Sequence, residues 1–214
     1  MIIILNGGGL NHLFSEYDDN IVTSNNKLPH KFERPSLVVF AGGTDVNPLF
    51  YGENRLPITG YPDKKRDENE ALWFSHCRIN KIPMVGICRG SQFGCIMSGG
   101  SLYQHVTNHG IHGLHDVITD DGRVFGVTST HHQMMRPEFT NHELIAWTPE
   151  RRSKVYLYDH KGEDVPQLPE KEPEVVYFKD TDFLAVQYHP EYMESYEEGR
   201  VFFGELLEKY IPNL

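Results

Sequence analysis

The sequence predicts an α/β fold, an open and mostly parallel sheet with helices on both faces and chemistry at the carboxyl ends of its strands. Three observations lead there. Short apolar runs stop abruptly at glycines, one run feeds a helix-like segment through a turn built on a cysteine, and the last regular stretch repeats apolar residues at helical spacing.

Taken in order, Ile2–Leu5 and Leu37–Phe40 suit buried strands, closed by Gly7-Gly8-Gly9 and by Gly42-Gly43. The polar segment between them has little periodicity, so the usual long crossover helix is expected to be short or missing. Residues 67–78 read as a helix with an acidic first turn and an inward face of Ala71, Leu72, Phe74 and Ser75. Residues 83–87 form the next strand, and 91–97 the helix behind it. The segments 116–118, 124–128, 144–147, 155–158, 175–178 and 183–187 are short and rich in β-branched or aromatic residues, which marks strands. Residues 166–173 form a charged, proline-rich loop. The closing helix, 197–210, presents Val201, Phe202, Leu206, Leu207 and Tyr210 to one sheet face.

At 214 residues the chain suits a single domain, 1–214, with a full core. The formal charge of -10, from 20 basic and 30 acidic side chains, argues against nucleic acid as a partner. Its basic clusters, Lys64-Lys65-Arg66 and Arg151-Arg152, are too short for a phosphate-tracking groove. Cys77, Cys88 and Cys95 are odd in number and follow no secreted-scaffold spacing, so a reducing, cytoplasmic location is expected. The start reads as a strand and turn rather than a signal peptide, and no window is long and apolar enough for a membrane span.

The chemistry centres on Gly86-Ile87-Cys88-Arg89-Gly90-Ser91-Gln92. A strand that meets a small-residue turn at a nucleophile lifts the side chain off the sheet edge and places it at a helix N-terminus, which favours a thiolate. The alternative is an inert cysteine at a strand end. Far downstream, His189-Pro190-Glu191 places a histidine and a carboxylate two residues apart after a buried-strand pattern. A cysteine nucleophile needs such a base, and the base needs a third group to fix its tautomer.

Together, Gly86, Cys88 and Gly90 followed about a hundred residues later by His189, Pro190 and Glu191 closely resemble the class I glutamine amidotransferase signature. The likeness continues in Gly42-Gly43-Thr44-Asp45-Val46-Asn47-Pro48, Arg66-Asp67 with Glu70, Gly99-Gly100-Ser101-Leu102-Tyr103-Gln104 and His131-His132-Gln133. These blocks resemble the peptidase C26-like branch that contains γ-glutamyl-γ-aminobutyrate hydrolases. The resemblance implies a flavodoxin-like sheet and a Cys88, His189, Glu191 triad. It further implies cleavage of a γ-glutamyl amide through a γ-glutamyl thioester.

The developing oxyanion needs aimed donors, and the backbone N–H groups of Gly43 and Arg89 are the best placed. Gln92, by its position in the resembling family, and Arg66 are candidate partners for the substrate's glutamyl charges, although Arg66 can instead pair with Glu70. His132 is the candidate from the third block, because adjacent histidines in an extended chain point opposite ways and at most one faces the site. His105, His109, His112 and His115 are dense enough to suggest zinc, yet their spacing matches no closed ligand frame. No metal or cofactor is therefore expected.

His105 replaces the acidic residue common in the resembling branch after Leu-Tyr-Gln, which leaves the amine half of the substrate open. A free-standing hydrolase of a small-molecule γ-glutamyl substrate is the first expectation, since no ATP-binding loop or second domain to consume ammonia is legible. A glutaminase subunit serving a separate synthetase partner is the second, and an inactive binding module on the same fold the third.

Overall fold

The computed structural model describes residues 1–24, 34–159, 168–212 and 214. Its strands are β1 (Ile2–Leu5), β2 (Ile21–Ser24), β3 (Leu37–Phe40), β4 (Met84–Ile87), β5 (Ser101–Tyr103), β6 (His105–Val106) and β7 (Gly110–Thr119), then β8 (Val124–Thr130), β9 (Met134–Arg136), β10 (His142–Trp147), β11 (Tyr156–Leu157), β12 (Pro173–Phe178) and β13 (Phe183–Val186). The helices are α1 (Asn11–Phe14), α2 (Lys64–Asn80), α3 (Arg89–Met97) and α4 (Glu198–Tyr210).

The main sheet runs β2-β1-β3-β4-β13-β12-β10-β7-β8. From β2 to β13 every pairing is parallel, and β13 then hands over to an antiparallel continuation through β12, β10, β7 and β8. The α/β architecture is as predicted, and the parallel half is the one that carries the predicted nucleophile. Strand β8 of the antiparallel half alternates in burial, whereas β1, β3, β4 and β13 are buried at every residue because helices cover both faces.

Alternation along these strands sorts the core into two layers. Ile2, Ile4, Val39, Val85 and Val186 pack with Phe14 and with Phe202, Phe203, Leu206 and Leu207 of α4. On the other face Ile3, Leu5, Val38, Phe40 and Met84 pack with Trp73, Phe74 and Cys77 of α2 and Phe93 of α3. Each large side chain removed from water in this way contributes about 2 kcal/mol.

The short α1 confirms the expectation of a reduced first crossover, and β2 is a strand the polar segment concealed. Helix α2 starts three residues earlier than predicted because the Asp63 side chain caps it, accepting from Arg66 N at 3.1 Å. Its predicted inward face needs correction. Phe74 is buried, but Leu72 is 54% exposed and Ser75 is exposed, while Asp67, Glu70, Trp73 and Cys77 turn inward. Two carboxylates set the rotation of this helix because both meet a buried guanidinium, described below. Val201 of α4 is likewise exposed and Phe203 takes the inner position. The strand predicted at 116–118 is the end of ten-residue β7, and that at 155–158 shrinks to two residues. The predicted loop at 166–173 lies partly outside the described residues, and Pro173 opens β12. Among the described residues, no helix is long and apolar enough to cross a membrane.

Candidate active site

Cys88 sits between β4 and α3 with φ 52° and ψ -110°, a conformation that costs a non-glycine residue about 1–3 kcal/mol. The turn is held from both sides. Cys88 N donates to Val186 O at 2.8 Å on the neighbouring strand, and Cys88 O accepts from Ser91 N at 3.0 Å and Ser91 Oγ at 2.6 Å. Gly90 is demanded by close approach, since a Cβ there would lie 1.9 Å from Phe40 O. The second glycine of the motif thus lets the first turn of α3 settle against β3, which presses Cys88 forward.

His189 follows β13, the strand beside β4, so adjacent parallel strands deliver the thiol and the imidazole to the same sheet edge. His189 Nδ1 lies 2.7 Å from Glu191 Oε1, and Cys88 is near enough to the ring to favour its charged form. The backbone of His189 is clamped by Thr128: His189 N donates to Thr128 Oγ1 at 2.9 Å, and the hydroxyl donates to His189 O at 3.0 Å. Tyr192 stacks on the imidazole with ring centroids 4.7 Å apart and a 12° interplanar angle. Sequence reasoning passed over Tyr192, although it follows the His-Pro-Glu motif directly.

Burial alone would lower the pKa of His189, but its interactions with Cys88 and Glu191 outweigh it and raise the value to about 10. The imidazole is therefore charged at neutral pH. A raised histidine pKa stabilises the fold fully below the unfolded value near 6.5, and that stabilisation is lost as pH rises toward about 10. Imidazole ¹⁵N shifts should accordingly show His189 protonated through pH 8 in the wild type and titrating lower in Cys88→Ala. Titration near 6.5 in the wild type would remove the ion pair.

Gly43 has φ +150, and a Cβ there would meet Arg66 Nη1 at 2.1 Å. Arg66 braces this loop, donating from Nη2 to Ala41 O at 2.8 Å and from Nε to Glu70 Oε1 at 2.8 Å. Its guanidinium thus supports the predicted oxyanion strand from behind. The pairing of Arg66 with Glu70 that the sequence offered as an alternative is present. Arg89 opens α3, so its N–H belongs to the first helical turn. Its side chain was not anticipated as structural. It is 1% exposed and forms salt bridges with Asp67 and Glu70, joining α2 to the nucleophile turn. Asn6 Nδ2 adds a 2.8 Å bond to Glu70 Oε1.

Gln92 is engaged within the protein. It is 3% exposed, and its amide nitrogen donates to Gln133 O at 3.0 Å and to Gln187 Oε1 at 3.3 Å, so it ties α3 to the strands behind the site. His131 and His132 do point opposite ways. His131 is buried, whereas His132 reaches Asp45 Oδ1 at 2.9 Å, two residues beyond Gly43. Its pKa is raised, chiefly by that bond. Asp45 also accepts from Gly60 N at 2.6 Å, and so fixes the loop that Gly43 belongs to. It was part of a recognised block but not singled out.

A cleft of about 350 Å³ opens beside His189, lined by Asn6, Gly7, Gly9, Leu10, Ala41, Gly42, Gly43, Glu191 and Tyr192. Cys77 and Cys95 are fully buried, and burial pushes Cys77 up to about 12 and Cys95 higher still. Of the three thiols only Cys88 is therefore placed for chemistry.

Residues 22–160 match the family model described as Peptidase C26. The chain belongs to the Peptidase C26 family. The match includes the Cys88 turn, and the fold brings His189 and Glu191 to it from beyond the matched segment. A Schizosaccharomyces pombe protein provisionally named a glutamine amidotransferase is 39% identical over 79 residues, 36% of this chain and 31% of that protein. A Lactococcus lactis protein provisionally named glutamine amidotransferase-like is 28% identical over 164 residues, covering 72% of this chain and 65% of the relative. The matched stretches thus span less than two thirds of either relative's length. This Peptidase C26 chain also shares its fold with a solved Thermoplasma acidophilum protein provisionally assigned as a GMP synthase subunit. That likeness has a TM-score of 0.61 at 16% identity, over 100% of this chain and 93% of the other.

Proposed function

We propose that the protein hydrolyses a γ-glutamyl amide, with Cys88 as nucleophile, His189 as acid and base and Glu191 as the group that orients His189. The observation that carries this reading is the chain of contacts from a strained elbow cysteine to a histidine that is itself 2.7 Å from a carboxylate. Cys88 Sγ attacks the amide carbon and the backbone N–H groups of Gly43 and Arg89 receive the oxyanion. His189 then passes its proton to the departing amine. Water next attacks the γ-glutamyl thioester, delivering its proton through His189, and glutamate leaves with the thiol restored. Glu191 holds the imidazole in the tautomer this needs.

His132, on Asp45 at the loop margin, is a candidate for contact with substrate. The cleft beside His189 is of a size for a small amino-acid amide rather than a polymer. The 1–214 chain acts as one catalytic unit in this proposal, in a reducing compartment where its three free cysteines remain thiols.

The test compares kcat/KM for free glutamine with a panel of γ-glutamyl amines. A self-sufficient hydrolase is expected to favour a substituted amide by about tenfold or more, because contacts to the amine substituent are realised in the transition state. Efficient ammonia release from glutamine only when a synthetase partner is bound would overturn this in favour of a glutaminase subunit. No turnover of any γ-glutamyl compound would favour the inactive module.

A further inference from the structure

Behind His189, the ends of β7, β8 and β12 enclose a group of buried ionisable side chains that the proposed hydrolysis does not use. His109, just before β7, and His115 on it meet His131 after β8 and Glu174 on β12; all four are between 0% and 4% exposed. The predicted histidine quartet is thereby split. His109 and His115 enter this cluster, while His105 approaches His132 and His112 is exposed.

The polarity of the group is what needs explaining. His131 Nδ1 lies 2.8 Å from Gln133 O, and His115 Nδ1 lies 3.1 Å from Asp116 O. A carbonyl only accepts, so both Nδ1 atoms carry hydrogen, which leaves Nε2 as the atom each ring turns elsewhere. Both aim at Glu174 Oε1, at 3.8 Å and 3.3 Å. His109 completes the arrangement, with Nε2 3.2 Å from the Glu172 carboxylate and Nδ1 3.7 Å from Glu174 Oε1. Neither oxygen of Glu174 has a hydrogen-bond partner, and neither do His115 Nε2, His131 Nε2 or His109 Nδ1. Imidazole nitrogens drawn together with a carboxylate in a buried pocket are a donor set that a cation would satisfy.

We propose that His109, His131 and Glu174 bind a divalent transition-metal ion of the zinc class. Three features fit. Tetrahedral zinc with nitrogen and oxygen ligands at about 2.0–2.1 Å separates its donors by about 3.3 Å, and the separations from Glu174 Oε1 are 3.7 and 3.8 Å. The ligand atoms of His109, His131 and Glu174 all lie within 4.8 Å of one another. His131 also has its other nitrogen against the backbone carbonyl of Gln133, the kind of contact that fixes the tautomer of a metal-bound imidazole.

The ligands are all buried, so the proposed role is structural. The site ties β7 and β12 to β8, whose Thr128 clamps the His189 backbone. The signal was invisible in sequence because the ligands come from segments up to 65 residues apart, and the spacing rule was applied only to neighbouring histidines.

The experiment uses untagged full-length protein, stripped with a chelator and then equilibrated with Zn²⁺ or Co²⁺. Expected results are about one metal per chain by elemental analysis, a tetrahedral Co²⁺ absorption spectrum, and a Tm about 5 °C or more higher with metal than without. Cys88→Ser should retain the ion, and Glu174→Gln and His131→Ala should each bind at least about tenfold more weakly. Folded wild-type protein that takes up no metal and shows no Tm change would overturn the proposal, whatever the variants do. Loss of the ion in Cys88→Ser would also overturn it by placing the metal at the thiol.

Discussion

Cys88→Ala is expected to lower γ-glutamyl amide hydrolysis by about 10⁴-fold or more while leaving the fold intact. The size of the effect follows from the chemistry, because no other thiol can substitute. Cys77 and Cys95 are fully buried with pKa values driven up by burial, and neither adjoins His189. The fold should persist because alanine bears the φ 52° turn no worse than cysteine, and the backbone bonds to Val186 and Ser91 remain. His189→Ala should lose acylation for the same reason. An electrophilic glutamine analogue followed by mass spectrometry should modify Cys88 and spare the other two cysteines. Near-wild-type turnover by purified Cys88→Ala, or equal labelling of all three cysteines, would end the thiol mechanism.

The largest stability effect is expected from Arg89→Ala, a loss of about 3–5 kcal/mol, measured as a shift in denaturant midpoint at unchanged m. Asp67 and Glu70 are each 1% exposed, and the Arg89 guanidinium bridges them. Without it, two carboxylates are left in the interior facing each other. Arg66 compensates Glu70 only in part, because that bond already exists and its Nη2 is committed to Ala41 O. A single Arg89→Ala variant as stable as wild type would show that water reaches the two acids. Activity should fall with stability here, as Arg89 holds the turn that carries Cys88.

Much of the parallel half of the fold was legible because it depends on local pattern. The runs Ile2–Leu5, Leu37–Phe40 and 83–87 are apolar without interruption, and in a sheet covered on both faces that continuity is itself the strand signal. The rotation of α2 was not legible. Hydrophobicity alone favoured Leu72, yet Asp67 and Glu70 face inward because their partner, Arg89, lies on another element. The same limit applies to Gln92 and Arg66, whose contacts with Gln133, Gln187 and Ala41 join segments distant along the chain.

The sequence by itself determined the elements that chemistry needs in fixed order: a glycine-flanked cysteine between strand and helix, a histidine and a carboxylate two residues apart after a buried strand, and the family to which they belong. Only the tertiary structure decided which polar side chains are committed to one another. It set Arg89 on two carboxylates, Asp45 on His132, Tyr192 against His189, and three histidines around Glu174. The reason is physical. Apolar burial requires no particular partner and leaves a periodic trace along the chain, whereas a buried charge is tolerable only beside a specific group whose place is fixed by how distant strands and helices meet.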